Sequence, residues 1–307
     1  MKEIPKEVIE LAEQRKVAKQ DKNYALSDSL RDAIARLGWL VKDVPSGYEL
    51  NEKPPFDQIA HLNDLEKLAE FSAASATVAL LADGWPDDLR ICAGGVLDST
   101  DANLVILDLA NIDGVGLVAE EIRSNYLDRV QVIHLAQDLK TAGWANCQNA
   151  LIKKITSPIY LVMDLSTLAN GDFLSPLLAK INEGYSAVGW KGALVDLQDN
   201  WRSVVDKGTG EVDVLMSYLF AIKTEVAKAI GPDQKAKFYR NADMEWSLML
   251  REGGHKLFAI DQLPVTQGRH HGYHDSEPEY RDQQSKKTYE RLLQKFRGKE
   301  SILSPRR

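Results

Sequence analysis

An alternation of strand-like and helical segments is the feature that most constrains the fold of this chain. Apolar runs with strand character occupy residues 77–82, 104–109, 130–135, 159–163 and 187–190. Segments with helical periodicity lie between them, at residues 115–126, 145–155 and 172–183. This alternation predicts an α/β fold, with a mainly parallel open sheet that carries helices on both faces.

The segments on either side of this region have different patterns. Residues 5–37 predict a helical hairpin and residues 39–50 a β-hairpin, so residues 1–50 form a predicted small module. Paired prolines within residues 51–75 predict a linker, followed by a helix over 62–71. Residues 76–307 form the predicted main domain. Its second half contains an apolar run (212–222), a helix (241–252), a strand (256–260) and a charged terminal helix (279–297).

Charge and cysteine content exclude several functional classes. The net charge of −7 over 307 residues argues against a protein that binds nucleic acid through an overall positive field. The two cysteines, Cys92 and Cys147, give neither a metal-binding spacing nor a disulfide framework, which fits a reducing compartment. No signal peptide or transmembrane segment is evident, so we expect a cytoplasmic protein.

Two predicted strands end in an aspartate, and this pattern points to a ligand site. Asp108 follows the apolar run that begins at Leu104, and Asp164 follows the run over 159–163. Open α/β sheets bind ligands beyond the carboxyl ends of their strands. We therefore expect both carboxylates at one edge of the sheet.

Loops after these strands supply further candidate residues. Asn111 and Asp113 follow Asp108, and each is either a ligand contact or only the N-cap of the next helix. Gly143 opens a helix that continues to Asn149, and a helix N-terminus favours an anion such as a diphosphate. These signals are weak when each is taken alone.

The second half of the chain contributes acidic residues and histidines. Asp243 and Glu245 are two positions apart and cannot share one helical face, so one can line a cleft while the other stabilises the fold. A carboxylate in a partly dry cleft has a raised pKa, which suits a general base. His270 and His271 belong to the one histidine cluster, and adjacent histidines in an extended segment diverge, so at most one would bind a metal beside Asp164.

In combination, these motifs resemble the family 2 glycosyltransferases with the GT-A fold. The resemblance covers residues 77–275 and depends on the order and spacing of the motifs. The matching segments are Asp108-Leu-Ala-Asn-Ile-Asp-Gly114, Gly143 to Asn149, Asp164-Leu-Ser166, Ala242-Asp-Met-Glu245, and His270 or His271.

The resemblance implies a nucleotide-sugar-dependent, inverting glycosyltransferase that moves a sugar to an acceptor hydroxyl. It implies that Asp108, Asn111, Gly143, Asn149 and Asp164 bind the nucleotide-sugar donor. It also implies that Asp243 is the general base with Glu245 in support. A divalent cation, Mg²⁺ or Mn²⁺, would be held by Asp164 with His270 or His271.

The sequence departs from the family pattern at three positions, Ser166, Ala242 and Met249, the last of which stands where many relatives carry an arginine. Ser166 replaces the second aspartate of the Asp-x-Asp motif and is a poorer ligand for a hard cation. Ala242 replaces the glutamate that precedes Asp243. These departures favour an alternative hypothesis, a catalytically degenerate GT-A protein that binds a nucleotide, a glycan or a protein or RNA partner without turnover.

Residues 8–50 resemble the small C-terminal domain of cysteinyl-tRNA synthetases. The match includes Glu13-Gln-Arg-Lys-Val-Ala-Lys, Asp21 to Asp32, Gly38, Val41-Lys-Asp43 and Ser46-Gly47. Residues 1–50 carry nine basic and nine acidic side chains, a balance that argues against tRNA binding. We interpret this segment as a module for packing or partner contact.

The terminal helix raises the question of peripheral membrane contact. Its basic residues are Lys286, Lys287, Arg291, Lys295 and Arg297. They are either a surface for anionic lipids or a solvated charged face, and the second interpretation is the simpler one.

Overall fold

The structure is a computed structural model that describes residues 3–68 and 74–305 of the chain. The chain divides into two compact units, the first ending at Asp57 and the second beginning at Gln58. No helix within the described residues is both long enough and apolar enough to cross a membrane.

The first unit is a helical hairpin followed by a β-hairpin, as the sequence predicts. Its elements are α1 (Lys6–Gln20), α2 (Tyr24–Arg36), β1 (Trp39–Val44) and β2 (Gly47–Glu52), and the two strands pair antiparallel. Asn23 begins α2, because its side-chain oxygen accepts a hydrogen bond from the Leu26 amide at 3.2 Å. A small core of Val8, Ala12, Ile34 and Trp39 holds the hairpins together.

An eight-stranded, mostly parallel sheet forms the centre of the second unit. Its strand order is β11-β14-β8-β13-β6-β3-β4-β5, and β13 and β11 are the antiparallel members. The strands of the unit are β3 (Ala76–Ala82), β4 (Asn103–Leu109), β5 (Val130–Leu135), β6 (Ile159–Met163), β7 (Thr167–Ala169), β8 (Ala187–Gly189), β9 (Gly192–Val195), β10 (Val204–Asp206), β11 (Gly210–Val212), β12 (Val214–Leu215), β13 (Leu219–Lys223), β14 (Leu257–Ala259) and β15 (Val265–Gln267).

Helices cover both faces of this sheet. They are α3 (Pro86–Ser99), α4 (Val115–Asn125), α5 (Leu139–Ala142), α6 (Trp144–Lys154), α7 (Leu174–Asn182), α8 (Thr224–Ala229), α9 (Ala242–Glu252), α10 (His271–His274) and α11 (Pro278–Phe296), with short 3₁₀ helices at Leu62–Lys67, Ile112–Gly114 and Glu300–Ile302. Successive residues of β3 face opposite cores: Val78 and Leu80 pack on the α3 side and Ala79 packs on the α6 side. Burial on both faces explains why the strands are nearly continuous apolar runs.

Helix α3 was not predicted from the sequence. It contains Gly94 and Gly95, and glycine in a helix interior is unfavourable by about 1 kcal/mol relative to alanine. Tertiary packing accounts for Gly95, since a Cβ atom there would lie 3.1 Å from the Ala169 carbonyl oxygen. The short helix α8 was also absent from the prediction.

Two further predictions need correction. The segment over 62–71 is a 3₁₀ helix at Leu62–Lys67, and residues 69–71 of that prediction lie outside the described residues. The apolar run over 212–222 is divided among β11, β12 and β13, because the Asp213 carboxylate interrupts it and accepts a hydrogen bond from the Val195 amide at 2.8 Å.

Candidate active site

Two adjoining cavities lie near the carboxyl ends of β3 and β6. We call the smaller one the inner cavity, and its wall includes Asp83, Trp144, Gln148, Asp164 and Phe238. The larger one, the outer cavity, has a volume of about 380 Å³, and its wall includes Met216, Tyr218, Arg240, Asp243 and Tyr273. Ser217, Tyr239 and His270 line both cavities, so the two adjoin and we treat them together as the candidate site.

Asp164 lies directly after β6, at the carboxyl end of the strand. Its backbone amide donates to the Tyr218 carbonyl at 3.0 Å, which ties the residue to the turn before β13. One side-chain oxygen, Oδ1, accepts hydrogen bonds from the amide of Ser166, at 2.9 Å, and from the hydroxyl of Ser166. The Ser166 hydroxyl also accepts a hydrogen bond from the Gln267 amide group at 2.9 Å. Oδ2 of Asp164 is therefore the oxygen left for a ligand or a metal.

His270 faces this remaining oxygen. Its Nε2 atom lies 3.6 Å from Oδ2 of Asp164. The imidazole stacks on the Tyr239 ring with the ring centres 4.6 Å apart, and it meets the Tyr218 ring edge-on. Burial lowers the pKa of the His270 imidazole, which favours the neutral ring that can bind a metal.

His271 points away from Asp164. Its Nδ1 atom lies 2.6 Å from the Asp275 carboxylate and its Nε2 atom 3.4 Å from Asp88. The ring stacks on Trp85 with the ring centres 4.2 Å apart. Both ring nitrogens thus face carboxylates outside the Asp164 site, and of the two adjacent histidines His270 is the one beside Asp164.

Asp83 belongs to the site, although the sequence analysis did not single it out. It follows β3, and burial together with the nearby charge of Asp164 raises the pKa of its carboxyl to about 6. The signal that identified Asp164, an aspartate after an apolar strand, is also present here. Trp144 and Gln148 of α6 were missed as well, and no sequence signal marks them as residues of a site.

Asp243 lines the outer cavity from the first turn of α9. Its Oδ2 atom accepts hydrogen bonds from the Ser217 amide at 3.0 Å and the Ser217 hydroxyl at 3.2 Å, and its Oδ1 atom accepts one from the Met244 amide. The residue is 7% exposed, and this burial raises the pKa of its carboxyl. A buried carboxylate with a raised pKa at a cavity wall has the properties of a general base.

Glu245 makes an ion pair away from both cavities. It is fully buried, and its carboxylate binds the Arg291 guanidinium of α11 in two-fold fashion, with Nε 2.7 Å from Oε1. Because Glu245 lies two residues after Asp243, it is on a different face of α9, the face that contacts α11. The role that the geometry gives Glu245 is attachment of the terminal helix.

Asp108 and Asn111 stabilise the turn between β4 and α4. Asp108 lies within β4, is fully buried, and accepts hydrogen bonds from the Asn111 amide at 2.9 Å and from Nδ1 of His134 at 2.7 Å. The side-chain oxygen of Asn111 accepts a hydrogen bond from the Gly116 amide at 3.0 Å. Neither residue lines the inner or the outer cavity. Their predicted role in donor binding stays a prediction, and their observed contacts are structural.

Gly143 and Asn149 also make contacts within the fold. The first amides of α6, those of Trp144 and Ala145, donate to the backbone carbonyls of Lys237 and Ala236 at 3.0 and 3.1 Å. The Asn149 side chain donates to the Pro232 carbonyl at 2.8 Å. The backbone amides of Trp144 and Ala145 are therefore already paired within the protein. The side of α6 that faces the candidate site bears Trp144 and Gln148.

Few side chains in the candidate site could hold a divalent cation. Within residues 3–68 and 74–305, no three His, Cys, Asp or Glu side chains are grouped as a metal cage. Asp164 and His270 nevertheless present one oxygen and one nitrogen to the same space. Mg²⁺ and related ions are commonly held by one or two protein ligands together with substrate phosphates. Asp164 and His270 are therefore the residues that could hold such an ion, whereas both ring nitrogens of His271 face other carboxylates.

Comparisons with known proteins show a sequence match over one short region and a likeness of fold. No protein-family model matches the chain. A short region is 51% identical over 45 residues to cysteine–tRNA ligase from Chlamydia felis, and 50% identical over 48 residues to the ligase from Opitutus terrae. The matches cover 15% and 16% of this chain, and the chain spans about a tenth of each ligase (10%). The predicted resemblance of a short segment to these ligases is confirmed.

The structural neighbours are glycosyltransferases. The structure of GalNAc-T7 with UDP, GalNAc and Mn²⁺ matches with a TM-score of 0.56 and 16% identity, over 72% of this chain. This chain spans 47% of that protein. The mannosyltransferase PcManGT from Pyrobaculum calidifontis, in complex with GDP-Man and Mn²⁺, has a TM-score of 0.49 and 14% identity, over 70% of this chain and 61% of its own. The predicted GT-A-type fold is confirmed, and membership of family 2 stays a prediction.

Proposed function

We propose that this chain transfers a sugar from a nucleotide-sugar donor to an acceptor hydroxyl, with Asp243 as the general base. The observation that carries the proposal is the position of Asp243. Its buried carboxylate, whose pKa is raised, lines a cavity that shares Ser217, Tyr239 and His270 with the adjoining cavity of Asp164. A site with one carboxylate for the donor and another for the acceptor matches the chemistry of sugar transfer.

The donor diphosphate would lie beside Asp164 and His270. The free Oδ2 atom of Asp164 and Nε2 of His270 are the protein ligands available for a Mg²⁺ or Mn²⁺ ion. When bound, such an ion would offset the negative charge of the departing nucleotide diphosphate. The neighbour GalNAc-T7, described with UDP and Mn²⁺, supports this donor class.

The acceptor would enter through the outer cavity. Asp243 takes the proton from the acceptor hydroxyl, whose oxygen then attacks the anomeric carbon while the diphosphate leaves from the opposite side. A single displacement of this kind inverts the configuration at that carbon. Ser217 holds the Asp243 carboxylate in place by donating both its amide and its hydroxyl to the same oxygen.

A catalytically degenerate binding protein is the second candidate function. The observation that favours it is the environment of Ser166, which stands where an Asp-x-Asp motif has its second carboxylate. The Ser166 hydroxyl donates to Asp164 and accepts from Gln267, so it is engaged within the protein. A site with one carboxylate fewer holds a cation more weakly.

The N-terminal segment is proposed as a separate module. We assign residues 1–50 to this module, 51–75 to a linker and helix, and 76–307 to the transferase domain. The acidic and basic side chains of the module are balanced in number, so the proposal does not include tRNA binding.

The first test is a thermal-shift panel with UDP-, GDP-, TDP- and CDP-sugars, with and without Mn²⁺. We expect one nucleotide class to raise the melting temperature of the protein and Asp164→Asn to abolish that shift. Asp206→Asn is the matched control, because Asp206 is exposed on β10. No shift with any donor would contradict the transferase proposal. A shift without release of nucleotide in the presence of acceptors would favour the binding protein.

A further inference from the structure

Arg240 places a positive charge in the wall of the outer cavity. Its side chain is exposed, and Nη1 donates a hydrogen bond to the Tyr273 hydroxyl at 2.8 Å. The guanidinium also lies over the Tyr273 ring, 5.0 Å from the ring centre. Within the described parts of the chain, none of the salt bridges includes Arg240.

An acidic group that interacts with the charge of Arg240, Asp282, already has another partner. The Asp282 carboxylate is bonded to Nε of Arg281 at 2.9 Å, and Arg281, with a smaller contribution from Arg240, lowers the pKa of Asp282. Arg281 stacks on Tyr273 as well, 4.7 Å from the ring centre. Two guanidinium groups thus share one aromatic ring, and one of them, Arg240, is left to meet a ligand.

The orientation of Arg240 suits an oxyanion. A guanidinium has five N–H donors in a fixed plane, and the hydrogen bond to Tyr273 occupies one of them. The hydrogen bond and the contact with the ring restrain the guanidinium, so less conformational entropy is lost when a ligand binds. Carboxylate and phosphate groups match this fork with two parallel hydrogen bonds.

The rest of the outer cavity suits a sugar ring. The rings of Tyr218 and Tyr239 and the side chains of Met216 and Met244 give it an apolar wall. Asp243 lies in the same cavity and is buried, whereas Arg240 is exposed. A ligand that fills the cavity therefore meets a proton acceptor at its inner end and a positive charge at its outer end.

We infer that the acceptor is an anionic carbohydrate, which presents a hydroxyl to Asp243 and a carboxylate or phosphate to Arg240. The inference rests on the proposed function, because it assigns the outer cavity to the acceptor. Arg240 is then a specificity-determining residue. The donor diphosphate is a different anion with a different place, beside Asp164 in the inner cavity.

Equilibrium binding tests this inference without turnover. The probes are two matched pairs, methyl glucoside with methyl glucuronide and glucose with glucose 6-phosphate, titrated into the full-length protein and followed by NMR. We expect at least one charged probe to bind about tenfold or more tightly than its neutral partner, since a charge-assisted hydrogen bond has roughly this effect. The two pairs distinguish a carboxylate from a phosphate as the recognised group.

Variants identify the residue responsible. Arg240→Gln should remove the preference for the charged probe, and Arg240→Lys should keep part of it, since lysine retains the charge but not the planar fork. Arg202→Gln is the matched control, because Arg202 is exposed and does not line either cavity. UDP binding should be unchanged in all three variants, and their melting temperatures should match that of the unmodified protein.

The outcomes separate this inference from the proposed function. A charged-probe preference that depends on Arg240, without release of nucleotide from any donor, would support the inference and contradict the transferase. Turnover with neutral and charged acceptors at equal rates would support the transferase and overturn the inference. Equal binding of all probes, absence of binding, or weaker UDP binding in Arg240→Gln would also overturn it.

Discussion

Nε2 of His270 lies 3.6 Å from Oδ2 of Asp164, and a two-stranded sheet brings the two residues together. Strand β15 pairs antiparallel with β7, with Gln267 opposite Thr167. The Gly268 amide then donates to the Ser166 carbonyl at 2.7 Å, which extends the pairing of the two segments by one residue toward Asp164 and His270. Asp164 precedes one strand and His270 follows the other, so the pairing of β7 with β15 determines the distance between them.

Replacing Asp243 with asparagine should remove catalysis and preserve donor binding. Asparagine keeps an oxygen that accepts from Ser217, so the local fold should persist, but it cannot take a proton. We expect kcat to fall by about 10²- to 10⁴-fold, the usual contribution of a general base. Nucleotide release and donor Kd would be measured with Asp206→Asn as control. A decrease in kcat of less than about tenfold would count against Asp243 as the base.

The pH dependence of kcat should reflect the environment of Asp243. The base must be ionised to act, and burial raises its pKa above the ordinary value of 3.8. The acid limb of the profile should therefore lie above pH 3.8, with activity increasing as the pH rises through the raised pKa. A profile that is flat down to the ordinary pKa would contradict the assignment.

The same shift predicts an effect on stability. The folded-state pKa of Asp243 exceeds the unfolded value, so above pH 3.8 the folded protein binds more protons than the unfolded chain. The free energy of unfolding therefore declines as the pH rises through this window. Asp243→Asn should raise the melting temperature at neutral pH and change it less below pH 3.8. An equal change at both pH values would show that the ionisation of Asp243 does not affect stability.

Removal of divalent cations should weaken binding of a nucleoside diphosphate. Asp164 and His270 offer two ligands, and the diphosphate would supply others. Calorimetric titration of UDP or GDP with Mn²⁺ and with EDTA should differ by about tenfold or more in Kd, as expected when one or two charge-assisted contacts are lost. The difference should disappear in Asp164→Asn. Affinity that is independent of EDTA would indicate that no metal ion takes part in binding.

The ion pair between Glu245 and Arg291 should matter for stability. Glu245 is fully buried, so Arg291→Met leaves an unpaired charge inside the protein. We expect a loss of about 3 kcal/mol in the free energy of unfolding, typical of a broken buried pair. Adding Glu245→Gln should recover part of this loss. Urea unfolding is the measurement and Lys286→Ala the control, since Lys286 is exposed and should contribute less than about 1 kcal/mol.

Arg291 also bears on the predicted membrane contact of the terminal helix. One of the five basic residues expected on that surface is paired with Glu245 and is only 19% exposed. The positive charge of that surface is reduced by one, because the Arg291 guanidinium is directed into the protein. For the remaining four residues both alternatives stay open, and a solvated charged face is still the simpler interpretation.

Replacing Asp108 with alanine should destabilise the fold and leave the donor affinity of the folded protein unchanged. The carboxylate accepts from the Asn111 amide and from His134, and His134 also meets Glu120 at 3.0 Å. Loss of this acceptor leaves the Asn111 amide unpaired, at a cost of about 1–3 kcal/mol, and removes one partner of His134. Urea unfolding and donor titration measure the two effects separately. Weaker binding of the donor with unchanged stability would instead support Asp108 as a donor-binding residue.

Local pattern was sufficient to predict the parallel strands of the large sheet, most helices and the position of Asp164. Apolar runs, the periods of helix and strand, and turn residues such as Gly38 act over short distances, and they also determine the hairpins of the first unit. The same local signal also marks Asp83, because an aspartate that follows a buried strand lies at the edge of the sheet.

Tertiary structure decided which side chains meet. In β4, Asp108 lies opposite His134 of β5, so its carboxylate is used within the protein. Asp243 faces a cavity while Glu245 faces Arg291, and these environments come from the distant Ser217 turn and from α11. Hydrogen bonds, burial and charge depend on neighbours in space, whereas the sequence lists only neighbours along the chain. The sequence therefore determined the secondary structure and the Asp164 edge, and the packing of distant segments determined the site.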